Sequence, residues 1–88
     1  MKVENMKSSK GNKVANQFIV IDDNGSSFFQ SYESIIAKID KEGNVFLDEK
    51  YWNYSVTTSK YRNEFLGLST QGTKEAIASG IIQLVDLN

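Results

Sequence analysis

The side chains best suited to chemistry crowd into one stretch. Tyr51 to Leu66 holds the only Trp, the only Arg and three of the four Tyr of an 88-residue chain. Within it, Trp52, Tyr54, Lys60, Tyr61 and Arg62 interleave aromatic rings with cations. Rings of this kind stack on nucleobases while the cations sit on phosphates. The same residue types are the ones most enriched among the energetic hot spots of protein interfaces. A third use is structural, with the rings filling a sheet–helix core and the Tyr hydroxyls bonded to backbone. Alternate residues of one irregular segment serve core and surface together, so the three uses coexist.

Catalysis finds little support. The chain has no His and no Cys, which removes the commonest general base, the thiolate nucleophile and the usual zinc ligands. Asp22 with Asp23, and Asp48 with Glu49, are adjacent carboxylates. Neighbours on a strand point to opposite faces, so neither pair shares a proton or a metal easily. Asp23-Asn24-Gly25 lacks the ligand spacing of a calcium loop, and no phosphate-binding or nucleophile-elbow glycine motif occurs. The expectation is a non-enzymatic protein with no catalytic residue, no metal and no cofactor.

Charge is balanced in total and uneven in place. The net charge is −1. Residues 1–13 carry Lys2, Lys7, Lys10 and Lys13 against Glu4, a segment of +3, and the remainder is −4. That overall balance argues against a chain whose main work is gripping phosphate backbones. With Ser8, Ser9, Gly11 and Asn12 inside it, residues 1–13 read as a flexible basic N-terminal tail ahead of a single domain at 14–88. Lys7, Lys10 and Lys13 there, and Asp48 with Glu49 in the domain, are secondary contact candidates. No apolar run approaches the roughly 20 residues that span a bilayer, and no signal segment is recognisable. A soluble, cytoplasmic protein of the bacterial host cell is expected.

These residues need elements to position them. Gln17 to Asp22 is β-branched and aromatic, apolar on both sides, and reads as an inner strand. Asn24-Gly25 marks a tight hairpin into a second strand over 26–32. Residues 34–40 fit a strand, with a one-turn helix at 31–35 as the competing reading, and 44–48 a further strand after the turn Asp40 to Asn44. Thr57 or Thr58 is placed to cap a helix whose stripe is Tyr61, Phe65 and Leu68, ending at Gly67. Ser69 caps a second helix, 70–79, closed by Gly80. Ile81 to Leu87 reads as a last strand inserted inside the sheet. The resulting fold class is α+β: a four- to five-stranded, mainly antiparallel sheet with two short helices on one face. The strands are apolar on both sides, so the sheet either curls into a partial barrel or offers its second face to a partner.

The box Tyr51-Trp52-x-Tyr54-Ser55-x-Thr57-Thr58-x-Lys60-Tyr61-Arg62-x-x-Phe65-Leu66 resembles a family of small uncharacterised proteins encoded by bacteriophages and mobile elements. Val14 to Phe18, Phe29 to Ala37 and Ser79 to Asn88 look like further segments of it, so the likeness covers roughly residues 10–88. Asn53 departs from the pattern, where Asp is more usual, which removes a carboxylate role at that position. The resemblance implies an origin more than an activity, since the family brings no catalytic residues to carry over.

Small acidic phage proteins act mostly by binding. The first expectation is therefore a protein that binds a bacterial host protein, as an anti-CRISPR-like inhibitor of host defence or an inhibitor of another host enzyme. The second is an accessory single-stranded nucleic-acid-binding protein of phage replication or packaging. Either admits a homodimer, and neither needs a membrane.

Overall fold

The computed structural model describes residues 1–88. Six strands form one sheet in chain order: β1 (Lys2–Lys7), β2 (Lys13–Ile21), β3 (Ser27–Ser31), β4 (Ser34–Ile39), β5 (Val45–Asp48) and β6 (Ile82–Val85). The first five make an antiparallel meander. Between β5 and β6 the chain forms α1 (Val56–Leu66) and α2 (Thr70–Ser79), and β6 returns parallel to β5. A parallel return needs a long crossover, which the two helices supply. The α+β class and the mainly antiparallel sheet with two helices are as the sequence indicates. The strand number is six, and the sheet is open.

The turns follow from local chemistry. Asp22 Oδ1 accepts from the backbone N–H of Asn24 and Ser26, and Asp40 Oδ1 accepts from Glu42 and Asn44 in the same way. Gly25 and Gly43 take the positive φ that both loops require, at 86° and 87°. Asp22 and Asp40 are thus turn-builders. Residues 34–39 are strand, so no helical turn forms at 31–35. Each helix starts on a serine. Ser69 caps α2, as its position implied, but α1 is capped by Ser55, whose hydroxyl accepts from the Thr58 N–H at 3.1 Å. Thr58 is unavailable for capping because it is buried and its hydroxyl is bonded to Ser31 Oγ at 2.9 Å. Gly67 and Gly80 close the two helices in the left-handed conformation.

Two expectations are corrected at the sheet edges. Residues 2–7 are not a tail: they pair with β2, and the following turn is ordered by Ser8, whose Oγ accepts from Lys10 and Asn12 N–H. The segment is polar, but Met6 is buried in the core and anchors it, and its backbone satisfies the outer edge of β2. The last strand is not inserted between others. It forms the far edge of the sheet, and Leu84 is correspondingly exposed.

The core lies on one face. Met6, Phe29, Ile36, Ala37, Leu47, Tyr61 and Ile82 are buried together, with Ile19, Val45, Phe65, Ala76 and Ile77 packed against them. Side chains alternate along a strand. The residues between these core positions therefore project from the opposite face, which no helix covers.

Candidate functional site

Strand register lines up one row on that uncovered face. Val3 pairs with Val20, Val20 with Phe28, Phe28 with Lys38, Lys38 with Phe46, and Phe46 with Gln83. The row crosses all six strands. A second row, Asn5–Phe18–Gln30–Ile35, lies beside it. Phe18, Phe28 and Phe46 are half-buried, each with ring area left to solvent. Lys38 Nζ stands 5.6 Å from the Phe28 centroid and 5.9 Å from that of Phe46, a cation held between two rings.

The same face continues into a basic hairpin end. The register shifts between Asn5 and Lys7, but Lys7 and Lys13 line one shallow depression with Val3, Glu4 and Asn5 at the edge of the open face. Lys7 and Lys13 are direct cross-strand partners, and Lys10 sits in the turn that joins them. None of the three is in an ion pair. Like charges placed opposite each other on a sheet are unfavourable, and the exposed Glu4 carboxylate beside Lys7 offsets part of that repulsion. Asp48 is the carboxylate with the same orientation as Phe46, and it is only 1% exposed. Its oxygens accept from the N–H groups of Lys50, Tyr51 and Leu87. Burial would raise this carboxyl, but those bonds and the neighbouring Asn88 amide outweigh it and hold it below its ordinary value. Asp48 is therefore a structural knot for the turn and the C-terminus, not a contact residue. Glu49 is exposed and donates its N–H to the Val85 carbonyl oxygen.

The aromatic box of the sequence divides. Arg62 is fully buried. Its Nη1 donates to the carbonyl oxygen of Trp52 at 2.6 Å and to Asn53 Oδ1 and Ser59 Oγ, and its Nη2 donates to Asn63 Oδ1 and Thr70 Oγ1. The guanidinium lies 5.3 Å from the Trp52 ring centroid. No carboxylate faces it, and burial pulls its pKa below the ordinary value. Tyr61 is buried in the core, and Trp52 packs on the core's edge. Of these three expected contact residues, Arg62 and Tyr61 are thus interior and Trp52 is half-buried. A lone Arg in a sequence reads as exposed because burying charge is costly. Here five neutral acceptors make burial tolerable. Tyr54 and Lys60 remain outside and line a groove of about 730 Å³ along α1.

No cluster of His, Cys, Asp and Glu able to hold a metal is present. No helix is long and apolar enough to cross a membrane.

Fold and surface together define a small α+β protein whose six-stranded open sheet carries an aromatic and basic face. The chain belongs to the family described as "Family of unknown function (DUF8033)", whose model matches residues 1–82. The resemblance read from the aromatic box likewise implied an uncharacterised family. Neither the curated proteins nor the solved structures compared with it contain a match.

Proposed function

We propose that this protein is a non-enzymatic, single-stranded nucleic-acid-binding protein that works through the uncovered sheet face. The observation that carries the reading is the row Phe28–Lys38–Phe46 with Phe18 beside it, leading to Lys7, Lys10 and Lys13; the carboxylates nearest it are Glu4, beside Lys7, and Asp40, beside Lys38. Rings on a sheet stack on unpaired bases, lysines bind the phosphates, and the amides of Asn5, Gln30 and Gln83 offer hydrogen bonds to base edges. This is the second of the two expectations raised by the sequence, on a different surface. Lys60 and Arg62 no longer carry it.

The reading as a binder of a bacterial protein is favoured by a different feature, the β6 edge. β1 guards its own edge with Lys2, Glu4 and Lys7, whereas β6 is uncharged, with Leu84 exposed within it and Ile81 exposed just before it. Such an edge accepts an added strand. A phage or mobile-element origin, and inhibition of a host defence or of another host enzyme, belong to this reading and rest on the resemblance of the box.

A tagged pull-down from bacterial lysate, with and without nuclease, separates the two. Recovered nucleic acid that is lost on nuclease treatment and in Lys38→Glu supports the first. A defined protein that survives nuclease, is retained by Lys38→Glu and is lost in Leu84→Lys overturns it in favour of the second.

A further inference from the structure

The groove along α1 lies on the helix side of the molecule and plays no part in the sheet face. Its walls combine the exposed apolar Val56 and the Tyr54 ring with polar side chains that include Asn53, Ser59, Asn63 and Thr70, and both Lys60 and Glu64 line it. It is an open, mostly polar groove of about 730 Å³. Four of the five acceptors that hold the Arg62 guanidinium, on Asn53, Ser59, Asn63 and Thr70, belong to these walls. The positive charge therefore sits directly behind them.

This arrangement orients the groove. Asn53 Oδ1 accepts from Arg62 and from the Ser59 hydroxyl, so the amide's donors are left over. Thr70 Oγ1 accepts from Arg62 and from Asn63 Nδ2, so its hydroxyl hydrogen is left over. Ser55 Oγ accepts from the Thr58 N–H, leaving its hydrogen likewise. Acceptors are turned inward to the cation, and donors remain for the groove. Lys60 adds a charge at the rim and forms no ion pair with Glu64, although the two are spaced to meet on the helix. The first turn of α1 contains no acidic residue to offset its partial positive charge. Arg62 Nε, buried and without any partner, leaves the guanidinium incompletely satisfied.

We propose that this groove binds a small molecule through an oxyanion, either a carboxylate or a phosphate ester, with Asn53 Nδ2, Thr70 Oγ and Lys60 Nζ as donors and Arg62 as the positioning residue behind them. The bound anion supplies the countercharge that the guanidinium lacks. Glu64, on the same wall, accepts from a hydroxyl or amine elsewhere on the ligand. The site is independent of the nucleic-acid reading.

The test is an NMR titration of the uniformly labelled protein with inorganic phosphate and, separately, with glutarate, against chloride at matched ionic strength. The expected result is a saturable shift of the Asn53 side-chain amide and of the Val56 and Thr57 N–H signals with one of the two anions, and no saturation with chloride. The anion that binds names the class. Lys60→Gln, an exposed substitution whose fold is checked by the rest of the same spectrum, weakens the binding at least about threefold, and Thr70→Val abolishes it. Absence of saturation with both anions overturns the proposal, as do shifts that chloride reproduces or that Lys60→Gln leaves unchanged. Binding of an oligonucleotide to the sheet face is read separately and is unaffected by Lys60→Gln.

Discussion

The Arg62 guanidinium donates to the Trp52 carbonyl oxygen at 2.6 Å while lying 5.3 Å from the centre of the same residue's ring. One side chain of α1 thereby fixes both the backbone and the indole of the connection that leads into the helix. Through Asn63 and Thr70 it also ties α1 to the start of α2. The crossover that places β6 beside β5 is held at this point.

Arg62→Lys removes the planar fork and leaves several acceptors without a donor, while keeping a buried charge. Hydrogen bonds to a charged group contribute about 1.5–3 kcal/mol each. A loss of about 3 kcal/mol or more in urea denaturation is expected. Arg62→Lys with wild-type stability contradicts the role given to this residue.

Gly67 closes α1 at φ 71°, and a Cβ built there meets nothing within 4 Å. The cost of Gly67→Ala is therefore backbone strain alone, about 1 kcal/mol. Thermal unfolding checks it, and a much larger loss would show a packing role that the open space denies.

Asp48 gives the fold a specific acid sensitivity. Its carboxyl is held below the ordinary value by backbone N–H donors that outweigh its burial. In the unfolded chain an Asp carboxyl titrates at about 3.9. Its stabilisation is complete above that pH and is lost as pH falls through the lower, folded value, because the unfolded state takes up the proton first. Asp48→Asn is expected to lower stability at neutral pH by about 1–3 kcal/mol and to make the acid limb shallower. An unchanged acid limb in that variant contradicts the assignment.

Lys13→Glu places an acid opposite Lys7 and converts a repulsive cross-strand pair into an attractive one. Stability rises by about 0.2–1 kcal/mol, and oligonucleotide binding weakens. Opposite signs in the two assays distinguish a lysine pair retained for an anionic partner from one that is merely solvated.

The sequence carried the fold well where local chemistry decides. Asp22 with Gly25, Asp40 with Gly43, and Ser69 with Gly80 are loop and cap signals that act over a few residues. It failed where the decision is tertiary. β1 is polar and reads as a tail, because its partner edge on β2 lies outside its own sequence. Arg62 reads as exposed, because the neutral acceptors that bury it come from positions 52, 53, 59, 63 and 70. The row Phe28–Lys38–Phe46 is invisible until register is known, since its members come from three strands. Its trace in the sequence was the strand Gln17 to Asp22, apolar on both sides, which required a second face to be accounted for.

The most direct measurement is the affinity of the protein for a short fluorescent single-stranded oligonucleotide, read by anisotropy across salt concentrations. With Lys7, Lys10, Lys13 and Lys38 on phosphates, the slope of log K against log salt is about −0.7 per neutralised charge, so a slope of about −2 to −3 is expected. Phe28→Ala and Phe46→Ala each cost about 1–3 kcal/mol of binding, in variants shown by circular dichroism to be folded. Absence of binding at low salt contradicts the account, as does binding that ignores salt and both phenylalanines.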